Sequence, residues 1–79
     1  MTVRYCASCG YRSRALWLAA EVLPSVEHDI GSFAVVPGDR GVFDCAVAGD
    51  VVFSRAASGR FPEPEELAQL IFAKLEAIR

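Results

Sequence analysis

Charge of one sign is what this sequence has least of. Eight Lys and Arg residues stand against ten Asp and Glu, a formal net charge of −2. A chain so balanced carries no electrostatic footprint for polyanions, so nucleic acid is not expected among its partners. Long hydrophobic runs are also missing: none approaches the ~20 residues that span a bilayer, and no membrane partner is expected. Arg4, Cys9, Gly10, Arg12 and Arg14 break up any apolar segment near the start. That pattern is not a secretory signal, and the expected location is cytoplasmic. Three cysteines are too few for a disulfide framework and leave one unpaired. Zinc usually wants four ligands, often as two pairs. The candidates beyond Cys6 and Cys9 are Cys45, in an apolar alternation, and His28, between Glu27 and Asp29. They make no second pair, so neither metal nor cofactor is expected. A zinc half-site completed across a dimer is the only metal arrangement left open. Internal repeats, low-complexity segments and linkers are absent.

What is present is a dense apolar content, 53% of 79 residues, consistent with one domain over 1–79. So short a chain buries only about 60% of the surface it exposes when unfolded, so its core must be efficient. Thr2–Tyr5 alternates as a short strand. Residues 10–23 place Tyr11, Ala15, Leu18, Ala19 and Val22 on one helical stripe, with Arg14, Trp17 and Glu21 opposite. Pro24 is expected to end that helix. Residues 31–37, 42–48 and 51–55 read as three more strands. Gly49-Asp50 between the last two predicts a type II′ hairpin. That loop sets Cys45 opposite Ser54 and Asp44 opposite Arg55. It turns Phe43, Cys45, Val47, Val52 and Ser54 toward the helices and Phe53 away from them. Residues 56–61 read as a loop. Pro62-Glu63-Pro64-Glu65-Glu66 then opens a helix to the C-terminus, with Leu67, Leu70, Ile71, Leu75 and Ile78 as its stripe. The order is βαβββα. It predicts an α/β two-layer sandwich: a mixed four-stranded sheet with both helices on one face.

Cys6-Ala7-Ser8-Cys9 lies at the first strand-to-helix junction. The thiolate, not the thiol, is the nucleophile in disulfide exchange, and a helix N-terminus favours the thiolate. With Cys9 expected in the first helical turn, two intervening residues let either thiol resolve a mixed disulfide formed on the other. Ala7 and Ser8 are small enough to admit a bulky disulfide, and Arg4, Arg12 and Arg14 favour the thiolate further. Cys6 and Cys9 are therefore the expected catalytic pair. Ala7, Ser8 and Tyr11, with Gly59, Arg60 and Phe61 of the 56–61 loop, are the expected substrate or partner contacts. Cys45 reads as a core residue.

Tyr5-Cys6-Ala7-Ser8-Cys9-Gly10-Tyr11, Arg14-Ala15 and Glu21-Val22-Leu23 resemble the selenoprotein W (Rdx) family. So do Gly41-Val42-Phe43-Asp44, Val52-Phe53-Ser54-Arg55 and Gly59-Arg60-Phe61-Pro62. The resemblance implies a thioredoxin-like fold and thiol redox chemistry, with glutathione or thioredoxin-type reductants as partners. Its selenoproteins carry selenocysteine where Cys9 stands, which implies attack by Cys9. Thioredoxin logic and expected exposure favour Cys6 instead. Thioredoxins also hold a cis-proline before the third core strand; here Arg40-Gly41 occupies that place and Pro37 lies earlier. The expected function is thiol–disulfide exchange with glutathione or with client protein thiols and disulfides, by a monomer or weak dimer. The alternative is a redox-sensitive binding adaptor without turnover, using the loops around the dithiol or the open sheet face.

Overall fold

In the computed structural model, which describes residues 1–78, seven elements follow one another. They are β1 (Thr2–Cys6), α1 (Arg12–Val26), β2 (Ala34–Gly38), β3 (Phe43–Val47), β4 (Asp50–Ser54), α2 (Arg55–Ser58) and α3 (Pro64–Ala77). The sheet order is β2-β1-β3-β4, with β1 parallel to β2 and the other pairs antiparallel. A parallel pair needs a crossover, and α1 supplies it. The result is the expected thioredoxin-like sheet with β1 at its centre.

One sheet face carries Val3, Tyr5, Phe43, Cys45, Val47 and Phe53. It packs against Ala15, Leu18, Val22 and Val26 of α1 and Leu67, Ala68 and Ile71 of α3. On the other face Thr2 and Arg4 are exposed and Asp44 and Ala46 half-buried. Among the described residues no helix is long and apolar enough to cross a membrane.

The structure departs from the sequence expectations at several points along the fold. The first helix does not stop at Pro24. It runs on to Val26, and Glu27 N–H closes the turn on the Leu23 carbonyl at 2.8 Å. Proline removes one helical hydrogen bond, but Val26, one turn beyond Val22, is completely buried. Burying such a side chain returns about 1.5–3 kcal/mol.

The hairpin loop is Ala48-Gly49, not Gly49-Asp50. Both residues take positive φ, 54° and 83°, the type I′ arrangement. Val47 therefore pairs with Asp50 and Ala46 with Val51; Val52 is then skipped as a bulge, and Cys45 pairs with Phe53. A left-handed alanine costs roughly 1–2 kcal/mol. Moving Phe53 into the core, where only 7% of it stays exposed, recovers about 1.5–3 kcal/mol. Packing decides the register against the local turn preference. Asp44 accordingly faces Ser54, and the expected Asp44–Arg55 cross-strand pair does not form.

The segment read as a loop opens with one helical turn, α2. Ser54 caps it, accepting from Ala57 N–H at 3.4 Å, and Gly59 ends it at φ 76°. The last helix begins at Pro64 rather than Pro62, behind a Glu63/Glu66 capping box. Leu67 and Ile71 of its stripe are fully buried, whereas Ile78 lies beyond the helix end, 52% exposed. The expected continuation to Arg79 falls outside the described residues.

Candidate dithiol site

Cys6 is the last residue of β1 and pairs with Gly38 of β2. Its N–H donates to the Val42 carbonyl at 2.7 Å, and Ala7 N–H donates to the Gly38 carbonyl at 3.1 Å. These bonds tie the end of β1 to both flanking segments. The approach is close: a Cβ on Gly38 would lie 2.9 Å from Val42 Cγ1 and 3.0 Å from Arg4 Cγ. Beyond Ala7 the chain turns, with Gly10 N–H on the Ala7 carbonyl and Tyr11 N–H on the Cys6 carbonyl. Gly10 takes φ 79°, which a residue without Cβ adopts freely.

Cys6 and Cys9 are joined as a disulfide, with Cα atoms 5.3 Å apart. The two ends differ sharply. Cys6 is completely buried and Cys9 is exposed. This reverses the exposure on which sequence reasoning favours Cys6. Ser8 Oγ lies 3.5 Å from Cys6 Sγ. A disulfide sulfur carries no proton, so the hydroxyl is the donor.

The helix that follows begins later than expected. Tyr11 is its N-cap and Arg12 its first residue, so Cys9 precedes the first turn instead of lying in it. Tyr11 makes no side-chain cap and the first turn holds no acid. The helix N-terminus carries partial positive charge, and Arg12 and Arg14 add to it. The junction is consequently electropositive. Tyr5, Ala7, Gly10, Arg12 and Ser13 line a cleft of about 330 Å³ beside the turn.

On the other side Tyr11 belongs to an aromatic cluster. Its ring meets Phe61 edge-on at 5.0 Å between centroids and Phe43 at 6.4 Å; Phe43 and Phe61 are 5.1 Å apart. The Arg14 guanidinium lies 4.3 Å from the Phe61 ring centroid, and that of Arg55 lies 4.9 Å from it. Arg55 is also 5.5 Å from the Tyr11 ring.

The structure thus brings Tyr11 and Phe61, two of the expected contact residues, together, with Tyr11 two residues along the chain from Cys9, and leaves Ala7 and Ser8 exposed on the turn. Gly59 serves as the left-handed end of α2. Arg60 is turned toward α3: Nη1 donates to Glu66 Oε1 at 2.7 Å, Nη2 donates to Oε2, and the group lies over Phe53. Arg55, which the sequence reading does not name as a contact, is the residue of this segment that lies by the Tyr11 and Phe61 rings. Its signal in the sequence is Ser54, a good N-cap that starts a turn and carries Arg55 out of the strand.

Cys45 is fully buried in β3. Burial, and then the neighbouring charge of Asp44, push its thiol up to about 12. Among the described residues no three His, Cys, Asp or Glu side chains are grouped to hold a metal ion.

A four-stranded mixed sheet with a CxxC turn leading from its central strand into a helix defines a thioredoxin-like dithiol protein. More narrowly, the chain belongs to the Rdx family, whose model matches residues 1–73. It is similar to a selenoprotein W-related protein of Vibrio cholerae. That crystal structure shares 28% identity, covers 94% of this chain and 92% of its own, and superposes with a TM-score of 0.88. A Bordetella parapertussis crystal structure shares 36% identity over 92% of each chain, with a TM-score of 0.87. Migration and invasion enhancer 1 of Bos taurus is 31% identical over 74 residues, 90% of this chain. The chain spans 60% of the length of that curated relative.

Proposed function

We propose that the chain exchanges thiols and disulfides with small thiols such as glutathione, or with client proteins, in the cytoplasm. Cys9 is the attacking residue and Cys6 the resolving one. The observation that carries this reading is the difference in exposure between the two bonded residues, Cys6 buried and Cys9 exposed.

The exchange starts from the reduced pair. The Cys9 thiolate attacks a substrate disulfide, forming a Cys9–substrate bond and releasing one substrate thiolate. The Cys6 thiolate then attacks Cys9 Sγ, forming the Cys6–Cys9 bond and releasing the second. Two electrons pass from the dithiol to the substrate, and a thiol reductant restores the pair by the reverse steps. The electropositive junction favours the Cys9 thiolate. Ser8 offers its hydroxyl to Cys6 Sγ, where charge appears when the protein disulfide is cleaved.

The test is stoichiometric. Reduced protein mixed with oxidised glutathione should lose two thiols, gain the Cys6–Cys9 bond and release two equivalents of glutathione. No exchange over hours would sink the proposal.

A redox-sensitive adaptor is the second reading. It is favoured by Trp17, which stays 46% exposed on α1 above a groove shared with Glu21, Glu63, Pro64 and Glu65. Partners that persist when both Cys6 and Cys9 become Ser would support the adaptor. Their complete loss would support exchange.

A further inference from the structure

Two clefts on the outer face of α1 share one side chain. Trp17 lines both: a cleft of about 240 Å³ with Arg14, and a groove of about 430 Å³ with Glu21, Glu63, Pro64 and Glu65. One side of the indole is basic and the other acidic. Arg14, Trp17 and Glu21 are exposed, while Ala15, Leu18, Ala19 and Val22 turn to the core. At 3.6 residues per turn the three exposed residues fall within about 60° of arc. Trp17, the one tryptophan of the chain, stays 46% exposed. The charges beside it are unspent. The ion pairs of the described residues are His28–Glu27, Arg60–Glu66 and Lys74–Asp50, which leave out both Arg14 and Glu21. The Phe61 ring, 4.3 Å from the Arg14 guanidinium, covers its face and supplies no acceptor for its N–H groups.

We propose that the Arg14–Trp17–Glu21 stripe is the contact between two copies of this chain, packed α1 against α1 in antiparallel order about a two-fold axis. The proposal does not depend on the exchange reading, and it gives an occupant to the groove on which the adaptor reading draws. The argument is that the charges of the stripe complement themselves. A two-fold interface sets one patch against itself, so each charge must find its opposite within the same patch. Arg14 and Glu21 are about 10.5 Å apart along the helix axis. A reversed second α1 sets Arg14 of each copy against Glu21 of the other, twice, at that same spacing. A parallel second helix would oppose like charges. The midpoint of the stripe falls between Trp17 and Leu18. The two Trp17 positions are then offset by only about 1.5 Å along the axis. That brings the indoles together at the centre, where large aromatic anchors carry most of the binding energy. Ser13 and Ala20, exposed beside Trp17, are small enough to let a second helix approach. One helix face covers less than the ~800 Å² per partner of a standard interface, so the dimer dissociates on dilution.

The test is association against concentration. The oxidised full chain is sedimented from about 10 µM to about 1 mM, with non-reducing denaturing mass spectrometry to show that no disulfide joins two chains. The average mass should rise from the 8.5 kDa of one chain toward twice that value. Trp17 emission should shift to the blue over the same range. R14E and E21R should each raise the dissociation constant at least about tenfold, because each turns two attractive contacts into two repulsive ones. The double variant R14E/E21R exchanges the two charges and should restore association. If R14E fails to fold for want of its Phe61 contact, E21R decides alone. A single copy at every concentration, undiminished association of folded E21R, or no recovery in a folded double variant overturns the proposal. So does a monomer whose Trp17 emission responds to oligolysine, which would assign the groove to a basic partner. None of these readouts involves thiol chemistry, so failure here leaves the exchange reading where it stands.

Discussion

Cys6 and Cys9 share one disulfide, yet Cys6 is completely buried while Cys9 faces solvent. The cause lies in the backbone. Cys6 still belongs to β1, held by its bond to Val42 and its pairing with Gly38, whereas Cys9 sits on a turn that has left the sheet. In the exchange proposed above, the Cys9 sulfur of the reduced pair is the one a substrate disulfide would meet first. The chemistry of the pair follows from where the strand ends.

Gly38 is the test of that strand end. Gly38→Ala places a methyl group at 2.9 Å from Val42 Cγ1 and 3.0 Å from Arg4 Cγ. Something must shift, and overpacking of this kind costs typically 1–3 kcal/mol. Thermal unfolding should show a lower Tm. The displaced strand end should also make Cys6 in the reduced variant more reactive to alkylation than in the reduced parent.

Cys45 should behave as a core residue. With the pair kept oxidised, a thiol reagent at pH 8 should label nothing in the folded protein and one site after denaturation. The pH dependence has a definite sign. In the folded chain this thiol keeps its proton up to about 12, against about 9 for an unburied cysteine. The unfolded chain therefore releases a proton that the folded chain retains between those limits. The contribution is fully present below pH 9 and is lost as pH rises toward 12. Cys45→Ala should remove that part of the alkaline destabilisation, read as a flatter Tm-against-pH curve.

Glu66 should contribute at the opposite end of the pH scale. The Arg60 side-chain hydrogen bond holds its carboxyl below the ordinary glutamate range, helped by the backbone bond from Glu63. Its stabilising contribution is present above the ordinary glutamate range and is lost as pH falls through the lowered folded value. Acid unfolding followed by circular dichroism should show this dependence. Glu66→Gln should shrink it, with a smaller difference between pH 6 and pH 3.

The hairpin register makes a pair of mutations informative. Phe53→Ala should cost about 3–5 kcal/mol, enough to unfold much of so small a domain, because Phe53 packs in the core. Val52→Ala, at a half-buried bulge, should cost far less. Urea unfolding midpoints separate the two. Equal losses would contradict the observed register.

These cases show where sequence reasoning reaches its limit. The apolar stripes of α1 and α3, the βαβββα order and the helix-facing side of β3 were legible, because each follows from periodicity within one segment. The turn at Ala48-Gly49 was not. Local chemistry prefers glycine first, and only the tertiary burial of Phe53 outweighs a left-handed alanine. Pro24 inside α1 was hidden for the same reason, since Val26 stabilises the turn through contacts made elsewhere in the chain. At the site, Cys6 and Cys9 announced themselves by spacing. Their unequal exposure did not, because it depends on Val42 and Gly38, more than thirty residues away. Arg55 was hidden by the register error, which made it a strand residue opposite Asp44.

The account stands most directly on which sulfur attacks. Reduced Cys6→Ser and Cys9→Ser variants can each be mixed with oxidised glutathione and the mixed disulfide followed by intact mass. Cys6→Ser, which keeps the exposed Cys9, should trap glutathione at least about tenfold faster than Cys9→Ser. Faster trapping by Cys9→Ser, through a residue buried in the structure, would contradict the account.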